Sequence, residues 1–355
     1  MKRTLVSLFF ITLLLAATNS HAQSVYTSKT VTTKIAEGIY FIQHKDGEGN
    51  RVFGNTTIII GDRDVLVIDA PSPQKAAEDI AFIRSVTNKQ VRFLVNTHWH
   101  PDHQRGNSTY LRAFPNLTII AQKQMPALMQ AYEPGNLKRL QANYHRIDSQ
   151  VIHLKKGKKP GSSDSLLQQL ELQLTMYDAA LNDLKDFTPV VPAVTFETQM
   201  QIELGNRQVE LRFIGKGHST ADALLYLPKE KILITGDMVT YPVPYFFAGY
   251  PYEWIEVLET LEKEEYSILL PGHGPPLYDK NFLRQTIHLM STIRNQVVKE
   301  IHQGGSLSAK LEDVERSIDL TNFRKQFAGS DKDNIEFFDE SMKGLIKYLF
   351  YQAGK

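Results

Sequence analysis

Apolar residues fall in short dense blocks through the first third of the chain, recur at steps of three and four through the middle, and return to short blocks before a helical end. The segments "GIYFIQ" (38–43) and "TTIIIGDRDVLVIDA" (56–70) are rich in β-branched and aromatic residues, and Gly61-Asp62 places a turn between two apolar runs, which predicts a hairpin. Residues 74–86, "QKAAEDIAFIRSV", carry their apolar side chains at helical spacing, and "VRFLV" (91–95) returns to strand. "LTIIA" (117–121) is the next predicted strand, so this part of the chain has the order of an α/β unit.

Between about Met125 and Val194 the period changes. Leu137, Leu140, Tyr144, Ile147, Val151 and Leu154 form one helical series, and Leu166, Leu170, Leu174, Tyr177, Leu181 and Leu184 form a second. The "GKKPGSS" between them contains the Gly and Pro that end helices, so the region predicts a helical hairpin. A lid, a dimerisation arm and plain packing on the core are all compatible with it. Strands resume in "QMQIELGNRQVELRFIG", turning at Gly205-Asn206, and in "ALLYLP" and "KILITGD", turning at Pro228-Lys229-Glu230. A helix over 253–265 leads to a short strand in "SILLPGHG", and helices are predicted over 281–302 and 335–352.

Composition narrows the setting. The 355 residues are 42% apolar and 22% charged, enough for a sizeable core. Forty basic against 39 acidic residues give a net charge of +1, which argues against nucleic acid as the main partner. Lys2 and Arg3, an apolar stretch from Leu5 to Ala17 and the small-x-small Ser20-His21-Ala22 predict a signal peptide over 1–22, cleaved near Ala22/Gln23. The stretch is shorter than the ~20 residues of a membrane span, so no stable membrane anchor is expected. Residues 23–355 are then an exported, periplasmic protein, for which a homo-oligomer is an open alternative to a monomer. With no cysteine, any metal must be held by nitrogen and oxygen.

Such donors crowd into "NTHWHPDHQRGN" (96–107), where His98, His100, Asp102 and His103 fall within six consecutive positions. On extended backbone His98 and His100 point the same way, and Pro101 biases His100 away from the α region. Asp102 and His103, adjacent in sequence, would diverge on a straight strand and face the same centre only if the chain bends. Neutral imidazole and carboxylate suit zinc and neighbouring divalent metals.

The cluster resembles the signature of metallo-β-lactamase-fold hydrolases, in which a later His, Asp and His complete the site. "GKGHSTADALLYLP" supplies His218, "ILITGDM" supplies Asp237 and "LLPGHGPP" supplies His273. The resemblance covers about 35–125 and 195–280. It implies a four-layer αββα sandwich of the α/β class, with a helical-hairpin insertion at about 125–194 and C-terminal helices at about 281–355. It also implies two Zn²⁺ per chain, or other divalent metals: one held by His98, His100 and His218, the other by Asp102, His103 and His273, with Asp237 bridging. Each later candidate ends an apolar run, where loops carry function on a rigid scaffold. Asp69, in "LVIDAP", resembles a family position that supports the site, and a loop cap is equally compatible with it. His44, His145, His153, His288 and His302 read as core or surface histidines.

Two such cations acidify a shared water and polarise a substrate oxygen, so the expected activity is hydroxide attack on an ester, lactone or β-lactam amide carbonyl of a small-molecule substrate. Asp102 is the candidate catalytic proton acceptor. Tyr241, Tyr245 and Phe246, in "MVTYPVPYFFAGYPYEW", are candidates for a substrate wall, or for packing beneath the loop. A thioesterase or phosphodiesterase of the same fold, a di-iron redox protein and a non-catalytic metal-binding module are the alternatives.

Overall fold

A computed structural model describes residues 30–353, apart from 46, 49–50, 158–164, 247 and 304–309. The predicted signal peptide and most of "GKKPGSS" lie outside the described residues.

The chain opens with β1 (Thr30–Ala36) and β2 (Ile39–His44), then β3 (Gly47–Glu48) and β4 (Arg51–Val52), which form a separate two-stranded ribbon. The expected hairpin follows as β5 (Thr56–Ile60) and β6 (Val65–Ile68), paired Ile60 to Val65 around Gly61. Helix α1 (Pro73–Val86) starts where Ser72 accepts the Lys75 N–H and Pro73 supplies a pre-set φ. After it come β7 (Val91–Val95), two short helices α2 (Pro101–Gln104) and α3 (Asn107–Ala113), and β8 (Thr118–Gln122). The long α4 (Met125–Gly157) and α5 (Ser165–Asp183) are the helical hairpin, and β9 (Val194–Phe196) returns to the first sheet beside β8. That sheet has seven strands in the order β1-β2-β5-β6-β7-β8-β9.

The second sheet has five: β10 (Gln199–Glu203), β11 (Gln208–Arg212), β12 (Leu224–Leu227), β13 (Ile232–Thr240) and β14 (Ile268–His273). Helix α6 (Pro251–Lys263) connects its last two strands, which are parallel. The chain ends in α7 (Asn281–Gln303), α8 (Leu311–Ser317), α9 (Thr321–Ala328) and α10 (Lys332–Ala353).

Period-2 alternation sorts these strands into four layers. Leu66 and Ile68 of β6 point toward Leu225, Ile234 and Leu270 of the second sheet, in a core sealed between the sheets. Val65 and Val67 face the other way, onto Ile80 and Ile83 of α1 and Tyr110 of α3. On the far side Leu224, Leu233 and Leu269 turn outward onto Leu258 of α6, Ile293 of α7 and Leu345 of α10. The result is helix, sheet, sheet, helix. Each buried Leu, Ile or Val side chain contributes roughly 1.5–3 kcal/mol relative to exposure, so three separate apolar layers hold the two sheet rims in fixed relation.

Candidate metal centre

The site lies where the ends of β6, β7, β13 and β14 meet the loop before β12. His100 has φ −63° and ψ 148°, the extended backbone that Pro101 favours, and Pro101 then begins α2. That single helical turn is the bend the sequence requires: it swings Asp102 and His103 back toward His98 and His100. Two interactions hold the turn from outside. The Asn96 side-chain amide donates to the His103 carbonyl at 3.0 Å and pairs with Asn107, and the Ala70 N–H donates to the same carbonyl at 2.9 Å.

All seven predicted donors converge. His98, His100, His218 and Asp237 form one group, and Asp102, His103 and His273 form another, with the offered atoms of each within 4.8 Å of one another. Asp237 serves both: its Oδ2 lies 3.7 Å from His98 Nε2 and 3.5 Å from His218 Nε2, while its Oδ1 lies 3.3 Å from His103 Nε2 and 3.5 Å from His273 Nε2. Asp102 Oδ2 is 3.2 Å from His273 Nε2 and 3.5 Å from His103 Nε2.

The donor chemistry fits cations. His98 Nε2 and Asp237 Oδ1 are buried without a hydrogen-bond partner. His218 Nε2 faces His100 Nδ1 at 3.0 Å, and His103 Nε2 faces His273 Nε2 at 3.3 Å. Converging lone pairs of this kind are costly in a buried site unless a positive charge meets them. Burial pushes His98 well down and His100 down to about 3, so these two imidazoles are neutral, as ligands must be. Burial opposes charge on His103 and His273 as well, yet the carboxylates beside them win: Asp237 first, then Asp102, raise His103 well above its ordinary value and His273 to about 9. In turn the His103 and His273 imidazoles, against burial, hold the Asp102 and Asp237 carboxyls below the usual range.

Asp69 touches the site from behind. Its Oδ2 is 2.8 Å from His103 Nδ1, and both oxygens accept from Thr97, one from the backbone N–H and one from the hydroxyl, each at 2.7 Å. The contact directs His103 Nε2 inward. Asp69 itself has φ +62°, an uncommon conformation for a non-glycine residue but one that Asp tolerates better than most.

Other supports carry no sequence signal. Asp222 accepts from the Ser219 N–H and hydroxyl at 2.7 and 2.8 Å, fixing the loop that bears His218. Gly54 packs directly on His103, where an added Cβ would lie 2.7 Å from both the ring Nε2 and the Asp102 carbonyl oxygen. Glu133 of α4 accepts from Arg105 Nε at 2.8 Å and Gln104 Nε2 at 3.1 Å, just after His103, in a fully buried ion pair. Only its distance in sequence hid it.

The three aromatic candidates divide. Tyr245 places its ring 5.6 Å from that of His218. Tyr241 is 40% exposed and packs against Phe282. Phe246 is a correction: it is 2% exposed and packs edge-on against Trp254 in the core, with its N–H donated to Ser341, so it belongs to the packing beneath the loop and not to a substrate wall. His44 is buried and His145, His153, His288 and His302 are exposed, and none belongs to either donor group.

Comparison with known proteins agrees with this geometry. The model of the metallo-beta-lactamase superfamily matches residues 49–273. A linear primary-alkylsulfatase from a Pseudomonas strain is 20% identical over 285 residues, which is 76% of this chain and 52% of that protein. A metallo-beta-lactamase type 2 from a Bacillus strain is 29% identical over 105 residues, 28% of this chain and 40% of that one. The chain thus spans about half, or less, of the length of these curated relatives. Among solved structures, a metallo-beta-lactamase from Pontibacter korlensis gives a TM-score of 0.53 at 18% identity, over 74% of this chain and 99% of that one. The DIM-1 metallo-beta-lactamase gives 0.50 at 19%, over 74% and 98%. At such identity the structural likeness shows the fold alone.

Proposed function

The chain belongs to the metallo-beta-lactamase superfamily, and from that premise we propose that it is an exported, dizinc hydrolase that cleaves an ester, lactone or β-lactam amide of a small molecule. The observation that carries the proposal is the division of Asp237 between the two donor groups, one oxygen toward each. His98, His100 and His218 would hold one ion, and Asp102, His103 and His273 the other. Such ions, when bound, supply an acidified water and polarise the substrate oxygen.

The chain's own residues do the rest. Asp102 is ionised and its side chain is 31% exposed, so its carboxylate can orient a water and accept its proton. Asp69 fixes the tilt of His103, and the ring of Tyr245 bounds the His218 side. The basic start, apolar stretch and small-x-small site of residues 1–22 support export to the periplasm, and among the described residues no helix is long and apolar enough to cross a membrane.

Sulfate-ester hydrolysis is a second reading, favoured by the alkylsulfatase relative along 76% of this chain. A panel of nitrocefin, a lactone, a carboxylic ester, a thioester, a phosphodiester and an alkyl sulfate decides between them. The expected result is chelator-reversible turnover of a carbonyl substrate. Turnover of the sulfate alone would select the second reading, and chelator-insensitive turnover would refute both.

A further inference from the structure

Helix α4 turns one face to α5 and the opposite face to solvent. Between Leu137 and Gly157, Leu140, Ile147 and Val151 are buried, and the last two pack on Leu167 and Leu170 of α5. On the outward side Lys138, His145, Ile152 and Lys156 recur at steps of seven, seven and four, and Arg139, Arg146 and His153 recur at steps of seven. At helical pitch these form two adjoining stripes, and all seven residues are exposed. The single carboxylate of this stretch, Asp148, is half-buried. The outward face is therefore a cationic strip about 30 Å long with no exposed acid on it.

The rest of the molecule is different. Helix α10, of 22 residues, interleaves Lys332, Lys343 and Lys347 with Asp333, Glu336, Asp339 and Glu340. Residues 137–157 carry a net charge of +4, whereas the whole chain carries +1, so the remainder is at −3. Lys155 is paired with Glu171 of α5 at 2.8 Å. Lys138, Arg139, Arg146 and Lys156 have no ion pair among the described residues. Such a one-signed field is complementary to an anionic partner.

The aliphatic residues select the kind of partner. Ile152 is 44% exposed within the first stripe, between His145 and Lys156, and Leu166 at the start of α5 is 52% exposed. Both stand near the end of the hairpin, where α4 gives way to α5. The strip offers no Trp, Tyr or Phe on which bases could stack. Cations along a helix face, with aliphatic side chains among them, suit a helix that rests on a lipid surface.

We infer that the outward face of α4 docks on an anionic phospholipid surface, with its Lys and Arg side chains on the headgroups and Ile152 and Leu166 in the acyl boundary. The attachment is peripheral and salt-sensitive, not an anchor, and it is independent of which bond the centre cleaves. The other end of α4 carries Glu133, paired with Arg105 beside the metal loop, so attachment holds the centre close to the lipid.

Co-sedimentation with vesicles tests the docking, using phosphatidylcholine alone and an equal mixture of phosphatidylcholine and phosphatidylglycerol. The chain is used from Gln23, because the apolar stretch before it would bind lipid by itself; every described strand and helix is retained. The protein should favour the anionic vesicles at least about tenfold, and the preference should vanish at about 0.5 M salt. Each Lys or Arg near such a surface strengthens binding about fivefold, so Lys138→Gln, Arg146→Gln and Lys156→Gln together should weaken it about 100-fold. Ile152→Ser with Leu166→Ser should weaken it at least about threefold, since aliphatic area no longer enters the acyl boundary. Unchanged far-ultraviolet dichroism confirms that both variants fold. Equal binding to the two kinds of vesicle, or binding that survives the triple substitution, overturns the inference. So does full binding by the aliphatic pair, which would make the strip a general polyanion site. A dimer that the triple substitution dissolves, with no vesicle binding, would likewise overturn it and make the acidic remainder of a second copy the partner.

Discussion

The metal loop (96–107) and the helical hairpin of α4 and α5 were both marked by strong sequence patterns, yet the structure fixes them in different ways. Every turn of the loop is held by a directed polar contact: Asn96 and Ala70 to the His103 carbonyl, Asp69 to Thr97 and His103, Asn107 to Asn96. The hairpin is held at its base and by its own packing. Its start docks on the loop through Glu133 and the Tyr132–Trp99 stack, and through Met125 and Met129. Its far end has a small cluster of its own, made by Ile147, Val151, Leu167 and Leu170, while Leu166 and Leu172 are 52% and 63% exposed. A titratable cluster reports a place where many contacts must agree. Helical periodicity reports only that one face is apolar, not what covers it.

This contrast can be broken at three points. The largest effect is expected where the two regions join. Glu133→Ala leaves the Arg105 guanidinium buried without this carboxylate, a change that costs about 3–5 kcal/mol, read by urea unfolding; a loss under 1 kcal/mol would mean that the hairpin is not locked to the loop. Next is Asp69→Asn within the loop. It keeps the volume but removes the charge beside His103 Nδ1, and metal affinity or turnover should fall about 10- to 100-fold, measured by competition with a chelating dye. The smallest is Leu172→Ala at the far end, which should change stability by no more than about 0.5 kcal/mol; a larger loss, or a change in oligomeric state, would show that this exposed side chain has a partner.

How much was legible follows from the range of the interactions. Strands β2, β5 to β8 and β10 to β14 and helices α1, α6, α7 and α10 are set by local period and turn chemistry, so their places agree with the sequence reading to within a few residues. Four features were not local. The helical series was visible only from Leu137, yet α4 starts at Met125 and runs on through Pro134, because Met129 and Glu133 are buried against the loop. Strand β9 has three residues and is defined by pairing with β8, not by its own pattern. Helices α8 and α9 are short pieces whose apolar side chains, such as Val314 and Phe327, complete a core built mainly by others. Phe246 follows Asp237 closely, so a wall and packing beneath the loop were both open for it in the sequence, and its side chain turns inward to Trp254. The donors were legible because few other arrangements need three imidazoles and a carboxylate in six positions; Asp222, Gly54 and Glu133 were not, because one Asp, Gly or Glu is common anywhere.

The central claim is that seven side chains from separate strand ends form one paired-cation centre. Metal content after exhaustive dialysis, measured by mass spectrometry on the native protein and on His100→Ala, tests it most directly. The account predicts two equivalents of divalent metal in the native protein and about one in the variant, with far-ultraviolet dichroism unchanged. A native protein that retains no metal, or a variant that retains both ions, would contradict it.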